Sequence, residues 1–358
     1  MKKLMTGAVA TVVLASMMLA GCGSAGNSKP SSGGASSAGG AGSQPAAGTA
    51  AKPEDKKPSL TFRLADTHPP DYPTVMGDKK FAELVSQKTN GRIKIDVYPS
   101  SQLGEEKAVV EQVQLGAIEF TRVSSGAVAD FNKPMGVFSL PYIFDSEEHE
   151  WKFLNSADGN KLLDGMSGSK LIGLAYYDSG ARHFYSRKPV KSVADIKGQK
   201  IRVIQNKINI DLVESLGASA TPMPYGDVFS ALQTGVIDAA ENNWPSFDTS
   251  NHYSVAKNMI LDGHQRVPEL LMMSKAAFDK LSDEDKKIVK QAALDSVQYQ
   301  RDEWKKFEKK SEEKIRAAGV TITEVKDVKP WQDAVKPAID KYRAEFKDVL
   351  EAIDKARK

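Results

Sequence analysis

A single helical segment near the C-terminus most constrains how this chain can fold. Ser282 is a favourable N-cap residue, three acidic residues follow it in the first turn, and neither glycine nor proline interrupts the pattern before Gly319. At 1.5 Å per residue, such a helix would be roughly 50 Å long, which exceeds the width of one small domain. Its apolar residues are too sparse to sustain a coiled-coil heptad. The segment therefore predicts a helix that crosses two lobes rather than a coiled-coil arm.

The rest of the body alternates short apolar runs with amphipathic segments. Between several of these runs, helical patterns end at glycines such as Gly91, Gly116 and Gly235. Strand–helix–strand alternation predicts an α/β fold with parallel sheets covered by helices on both faces. Binding sites in such sheets lie at the carboxyl ends of the strands. The apolar runs predict strands at 60–65, 93–97, 171–176, 200–204, 236–240 and 321–325.

The N-terminus has the layout of a secretory signal. Lys2 and Lys3 precede an apolar stretch that is too short for a stable membrane span. The stretch ends in Leu19-Ala-Gly-Cys22, which resembles the site cleaved by bacterial lipoprotein signal peptidase. We therefore predict a signal peptide at 1–21 and lipidation of Cys22, with the mature protein exported and anchored at the outer face of the cell membrane or on the periplasmic side. The alternative is an ordinary signal peptide with a chance cysteine.

Composition separates a tether from a globular body. Residues 22–58 are almost all Ser, Gly, Ala, Pro and Lys, which predicts a disordered tether after the lipidated cysteine. The first 58 positions hold six basic and two acidic residues, so the +3 charge of the whole chain falls to about −1 in the body. A body without a basic stripe argues against a nucleic-acid partner. Its length suits two domains of ordinary size.

Motifs of catalysis and metal binding are absent from the sequence. Neither G-x-S-x-G, nor a Walker A loop, nor H-E-x-x-H occurs. The five histidines show no spacing typical of metal ligands, and Cys22 is the only cysteine. The sequence therefore predicts no catalytic residue, no metal and no cofactor.

Three arginines stand in contexts that are unusual for solvated side chains. Arg182 lies beside a glycine turn just after a predicted strand, and Arg202 alternates with apolar residues inside one. Arg122 follows another apolar run. A planar guanidinium can donate two parallel hydrogen bonds to a carboxylate, so each arginine is a candidate ligand group. The alternatives are the polar face of an edge strand for Arg202 and a structural pair with Asp178 for Arg182.

Six motifs of the body match those of one protein family. They are Phe81-Ala-Glu-Leu-Val-Ser-Gln-Lys-Thr-Asn-Gly-Arg92, Tyr98-Pro-Ser-Ser-Gln-Leu-Gly104, Phe138-Ser-Leu-Pro-Tyr-Ile-Phe144, Asp195-Ile-Lys-Gly-Gln-Lys-Ile-Arg-Val203, Leu216-Gly-Ala-Ser-Ala-Thr-Pro-Met-Pro224 and Ala231-Leu-Gln-Thr-Gly-Val-Ile-Asp238. Nearly all of residues 60–345 resemble the solute receptors of tripartite ATP-independent periplasmic (TRAP) transporters, of the DctP type. The resemblance implies a two-lobe α/β fold like that of periplasmic binding proteins, with mixed sheets, crossing strands and a long helix that spans both lobes. Lobe I would comprise 59–179 plus 268–307, and lobe II 180–267 plus 308–358.

The resemblance also implies a set of ligand-binding residues. Arg202, in the Lys-Ile-Arg-Val motif, would clamp the solute carboxylate, and Arg182 and Asn242 would complete the clamp. Glu106 or its neighbour Glu105 would accept hydrogen bonds from solute hydroxyls. The predicted set is completed by Arg122, His68, Gln205 and Trp244.

The sequence around these positions indicates a class of solute. Three stretches, 121–124, 177–182 and 240–246, resemble the subgroup that binds hexuronates such as glucuronate and galacturonate. That subgroup commonly has Arg-Val-Gln in the clamp strand, whereas here Ile204 displaces Gln205 by one residue and would turn it to the other face.

The expected function is capture of a sugar acid in the cleft between the lobes, followed by delivery to TRAP membrane subunits. We expect the receptor to act as a monomer. The alternatives are a receptor for a C4-dicarboxylate, keto acid or aldonate, a sensor for a membrane kinase, or a uronate lyase or hydrolase.

Overall fold

The computed structural model describes residues 58–357. The predicted signal peptide, Cys22 and all of the tether except Pro58 lie outside the described residues. Within 58–357, no helix combines the length and the apolar character needed to cross a membrane.

Eleven strands in the described range form two mixed sheets. The first sheet has the order β2-β1-β3-β10-β4, and the second has the order β11-β9-β5-β8-β6-β7. In the first sheet, β1 runs parallel to β2 and β3, while β10 is antiparallel to β3 and β4. The strands are β1 Leu60–Ala65, β2 Ile93–Tyr98, β3 Phe120–Ser124, β4 Leu171–Tyr177, β5 Ala181–Ser186, β6 Lys200–Val203, β7 Ser219–Pro222, β8 Ala239–Asn242, β9 Asn258–Arg266, β10 Glu269–Ser274 and β11 Thr321–Glu324.

Two neighbouring pairs of strands carry the chain from one sheet to the other. β4 of the first sheet leads into β5 of the second after three residues, and β9 of the second returns to β10 of the first after two. The pairing continues across this junction, since Tyr177 lies opposite Glu269 and Ala181 lies opposite Arg266. Gly180 permits the turn between β4 and β5 because its φ of +62° lies in the left-handed region. We refer to this junction as the hinge.

Helices cover both sheets. They are α1 Pro73–Lys88, α2 Glu106–Leu115, α3 Ser125–Val128, α4 Glu147–Leu154, α5 Ala157–Gly165, α6 Lys207–Ser215, α7 Val228–Thr234, α8 Trp244–Thr249, α9 Lys275–Phe278, α10 Asp283–Ala317, α11 Lys329–Tyr342 and α12 Lys347–Ala356. Short 3₁₀ turns cover Lys133–Ser139, Met166–Ser169, Val193–Asp195, Tyr225–Asp227 and His252–Ser254.

The 35-residue helix α10 confirms the helix predicted from Ser282 to Gly319. The Ser282 hydroxyl accepts a hydrogen bond from the Asp285 backbone N–H at 3.1 Å and so caps the helix. The first half of α10 packs on α1 and β4 beside the first sheet, where Val289 is fully buried. The second half contacts α8 beside the second sheet, where Ile315 is fully buried. One helix thus spans both halves of the molecule.

The two sheets draw on different segments of the chain, and the C-terminal segment contacts both halves. The strands of the first sheet fall within 59–179 and 268–307, and those of the second fall within 180–267 and 308–358. Helix α12, however, packs on α4 beside the first sheet. His149 Nε2 donates to the backbone carbonyl of Ile353 at 2.8 Å, and Phe346 joins the apolar core of that half. The C-terminal segment therefore adds a further connection between the two halves.

Candidate functional site

A polar cavity lies between the two sheets and has an empty volume of about 330 Å³. Most of its wall comes from the carboxyl ends of strands and the segments that follow them, where α/β proteins bind ligands, while Arg182 and Glu269 lie at the amino ends of the antiparallel strands β5 and β10. Residues 67, 68, 106, 124 and 269 line it from the first sheet and its helices, and residues 182, 202, 204, 225, 242, 243 and 246 line it from the second.

Arg202 is a buried cation without a nearby anion. Its side chain belongs to the strand β6, and the residue is only 4% exposed. Its Nε and Nη2 donate to the backbone carbonyl of Met223 at 3.1 and 3.0 Å, and no carboxylate of the described chain comes within 4.0 Å. Burial lowers the pKa of Arg202, an effect that the more distant charge of Glu241 opposes. A buried guanidinium that is solvated only by a neutral carbonyl favours the binding of an anion.

Arg182, by contrast, already has its counterion. Its Nη2 donates to Glu241 Oε1 at 2.9 Å, its Nε to Glu241 Oε2 at 2.5 Å, and its Nη1 to Asn242 Oδ1 at 3.0 Å. Burial opposes ionisation of Glu241, but Arg182 and His264 hold the pKa of this carboxyl down at about 2. The Asn242 oxygen faces Arg182, and within residues 58–357 its amide N–H groups form no hydrogen bond, so they can donate to a ligand. Arg182 and Glu241 thus fix the orientation of Asn242.

His264 supports this pair from behind. Its Nδ1 lies 2.8 Å from Asp262 Oδ2, and its Nε2 lies 3.7 Å from Glu241 Oε2. Burial lowers the pKa of His264, but the charge of Asp262 and contacts with both carboxylates raise it to about 9. The imidazolium therefore carries a positive charge at neutral pH and helps to keep Glu241 ionised.

Arg122 lies behind the cavity wall, not on it. Its side chain is completely buried in β3 and donates to Asp66, Glu106 and Glu269. Burial lowers the pKa of Arg122, but these three carboxylates raise it well above its ordinary value. Since its N–H groups are already engaged, we do not retain Arg122 as a candidate ligand contact. Its position assigns it the role of holding Glu106 and Glu269.

His68 and Glu106 line the cavity where the sequence predicted ligand contacts. The His68 ring stacks on Tyr72 at a centroid distance of 3.9 Å, while Glu106 Oε1 accepts from the Ser124 backbone N–H at 2.9 Å. Glu105 is at the cleft mouth, where its Oε2 accepts from the Gly226 backbone N–H at 3.3 Å. The question of which glutamate lines the cavity is therefore answered in favour of Glu106.

Two predicted contacts lie elsewhere. Ile204 lines the cavity while Gln205 does not, as expected for consecutive residues of an extended segment that point to opposite sides. Trp244 lines a separate cavity together with Trp304 and Gly180, next to the hinge. These two residues are therefore not brought together with Arg202.

Sequence reasoning missed several residues of the wall. Glu269 begins β10, and Tyr225, Asn243 and Ser246 lie on the second-sheet side. The Tyr225 ring centre lies 6.0 Å from the Arg202 guanidinium carbon. A carboxylate placed directly before the apolar run 270–273 was the one available signal for Glu269. No group of three or more His, Cys, Asp or Glu side chains within 58–357 is arranged to hold a metal ion.

The fold and the site define a two-lobe solute-binding protein, and comparison with known proteins places it in a family. Residues 64–345 match the family model described as DctP, bacterial extracellular solute-binding protein, family 7. The chain belongs to this family, which comprises the receptors of TRAP transporters. The resemblance of residues 60–345 in the sequence is thereby confirmed.

Individual relatives agree with this assignment. A solute-binding protein of Chromohalobacter salexigens is 36% identical over 290 residues, covering 81% of this chain and 86% of the relative. The structure of a TRAP solute-binding protein from Xanthobacter autotrophicus with bound β-D-galacturonate is 43% identical, with a TM-score of 0.79 and coverage of 82% of this chain and 98% of that one. A Pseudomonas putida protein with bound D-glucuronate is 39% identical, with a TM-score of 0.81 and coverage of 82% and 97%.

Proposed function

We propose that this protein captures a hexuronate, such as glucuronate or galacturonate, and delivers it to the membrane subunits of a TRAP transporter. The observation that carries the proposal is the uncompensated charge of Arg202, which lies in a polar cavity between the lobes. The family membership supports the delivery step, and the ligands of the similar structures support the class of solute.

In the proposed complex, the solute carboxylate takes the place of water at Arg202. The free Nη1 of Arg202, together with the Asn242 amide, offers directed donors to the two carboxylate oxygens. Arg182 contributes positive potential and orients Asn242. The sugar ring then extends towards the opposite wall, where His68 and Glu106 can form hydrogen bonds with its hydroxyls. Such an arrangement binds the solute without assigning a nucleophile or a general base to it.

A thermal-shift screen over hexuronates, aldonates, C4-dicarboxylates and keto acids would test the solute class. A true ligand at 100 times its Kd adds about 2.7 kcal/mol to the free energy of unfolding. Hexuronates should give the largest rise in melting temperature. A larger rise with a C4-dicarboxylate or keto acid would contradict the proposed class. Incubation with labelled uronate should return it unchanged, whereas any product would favour the enzyme alternative.

The proposed cellular role is distinguishable from sensing. Deleting the gene should abolish hexuronate uptake if the protein serves a transporter. Unchanged uptake with a lost transcriptional response to hexuronate would favour a sensor for a membrane kinase.

We also propose that Cys22 carries a lipid anchor after removal of residues 1–21. The motif Leu19-Ala-Gly-Cys22 and the polar tether that follows it motivate this proposal. The wild type should fractionate with membranes, because two or more acyl chains hold a protein firmly. Cys22→Ser should move the protein to the soluble or secreted fraction. A wild type that is soluble in the same fractionation would overturn the anchor.

A further inference from the structure

The charges that line the cavity are segregated by wall. The second-sheet side contributes Arg182 and Arg202, while the first-sheet side contributes Glu106 and Glu269. Glu106 is the first residue of α2, and Glu269 is the first residue of β10. Both carboxylates therefore lie at the end of the cavity opposite the proposed carboxylate clamp.

Arg122 fixes both glutamates and leaves each with one oxygen to offer. Its Nη1 donates to Glu106 Oε1 at 3.2 Å and to Glu269 Oε2 at 2.6 Å. The second carboxylate oxygen of each glutamate forms no hydrogen bond within the part of the chain that the structure describes. The Glu269 side chain is only 7% exposed, so bulk water cannot fully solvate it. Each glutamate is thus a rigid acceptor that lacks a donor.

This end of the cavity carries a surplus of negative charge. Arg122 faces three carboxylates, those of Asp66, Glu106 and Glu269, so one guanidinium cannot neutralise the group. Burial raises the pKa of Glu269, and the charge of Arg122 counteracts this effect. Hydroxyl groups satisfy such acceptors at no electrostatic penalty, whereas a second anionic group in a site shielded from bulk water would be repelled by the two carboxylates.

We propose that Glu106 and Glu269 form an acidic selectivity filter, which admits polyhydroxy acids with a single carboxylate and rejects diacids. The inference rests on the proposed function, because it requires a solute carboxylate at Arg202. The inference extends that function by assigning Glu269 to the site and by naming diacids as the class of ligand that the site excludes.

The experiment compares D-galacturonate with galactarate, its diacid derivative, by calorimetric titration at pH 8. The alkaline pH favours the ionised form of Glu269, whose pKa burial raises. Wild type should bind galacturonate at least about 30-fold more tightly than galactarate, because like charges in a desolvated site repel strongly. Glu106→Gln and Glu269→Gln keep the shape of the side chain but remove its charge. Each should narrow this ratio by about tenfold. The difference in shape between the two acids cancels when wild type and variant are compared.

Glu111→Gln is the matched control, because it removes an exposed charge from the same helix α2. It should leave the ratio unchanged, and an equal effect in this variant would overturn the filter. An affinity ratio that changes less than threefold in both Glu106→Gln and Glu269→Gln would also overturn the filter. In that case, binding of galacturonate by wild type would still support the proposed function. Failure of wild type to bind any hexuronate would overturn both. If Glu269→Gln does not fold, the affinity ratio of Glu106→Gln, at a half-buried position, is sufficient to test the filter.

Discussion

The three arginines that the sequence singled out have different surroundings, and the surroundings decide their roles. Arg122 has three carboxylate partners and Arg182 has one, but Arg202 has none within 4.0 Å among the described residues. A cation that is already neutralised by a carboxylate adds little to the free energy of binding a ligand anion. A cation without such a partner adds much more. This contrast, which no local sequence pattern reveals, is the reason that we propose Arg202 as the clamp.

The contrast predicts opposite effects on the stability of the ligand-free protein. Arg122→Met leaves the buried carboxylates of Asp66 and Glu269 and the half-buried one of Glu106 without this cation, and should lower the free energy of unfolding by about 3–5 kcal/mol. Arg202→Met removes a buried charge that has no carboxylate partner. The free energy of unfolding should therefore fall by no more than about 1 kcal/mol, or it should rise. Urea unfolding followed by circular dichroism measures both. Equal losses in the two variants would contradict the assigned roles.

At the scale of elements, the buried polar side chains of the central strands β5, β8 and β9 form one connected layer. Glu241 of β8 pairs with Arg182 of β5, and His264 and Asp262 of β9 lie directly behind them. Such a layer positions the clamp only if its charges persist. The protonation state of His264 is therefore part of the architecture of the site.

The layer predicts a pH dependence. The pKa of His264 is raised from 6.5 to about 9, so its stabilising effect is fully present below pH 6.5 and is lost as the pH rises through 9. His264→Gln should therefore be much less stable than wild type at pH 6, and the difference should shrink towards pH 10. Thermal unfolding of both proteins across this range provides the measurement. A difference that does not vary with pH would show that His264 is neutral in the folded protein.

The sequence predicted best those elements whose signal is local. The strands β1, β2, β4, β6 and β11 appear within one residue of their predicted bounds. The predicted strand 236–240 instead lies at 239–242, because Val236 is exposed and Ile237 N–H still bonds to the carbonyl of Ala231 in the preceding helix.

Two of the five strands that the sequence did not predict, β5 and β9, share a physical cause. β5 and β9 carry several charged or polar side chains that are buried in the ion-pair layer, so they lack both alternation and an apolar run. Arg182, Arg202, Asn242 and Glu106 could be placed at the cavity in advance because they lie in stretches that resemble the family, and His68 was predicted there as well. Glu269 could not, because its place in the wall depends on β10 pairing between β3 and β4.

At the scale of the whole molecule, side chains of the two halves contact each other across the cleft and hold it closed. Tyr72 OH lies 2.8 Å from Ser246 Oγ, and Asn206 Nδ2 donates to the Gly126 carbonyl at 2.9 Å. Both contacts join elements of the first half to elements of the second. We predict that the paired strands of the hinge bend near Gly180, whose φ lies in the left-handed region, as the cleft opens and closes around a solute.

Closure predicts a change in overall dimensions. In solution, the empty receptor should sample an open cleft, and saturating hexuronate should reduce its radius of gyration. Small-angle scattering with and without glucuronate measures this, with glucose as the neutral control. An identical profile at saturation would argue against hinge closure and for a preformed site.

The central claim is that Arg202 binds the carboxylate of a hexuronate. Calorimetric titration of wild type, Arg202→Lys and Arg202→Ala with glucuronate tests it most directly, with glucose as the uncharged analogue and circular dichroism as the check on folding. Removing one partner of a desolvated charge pair costs about 2–5 kcal/mol, so Arg202→Ala should weaken binding roughly 30- to 5,000-fold. Lysine should restore only part of the affinity, because it lacks the planar pair of donors. Wild type should not bind glucose measurably. A folded Arg202→Ala variant that binds glucuronate within threefold of wild type, or a wild type that binds glucose equally well, would contradict the claim.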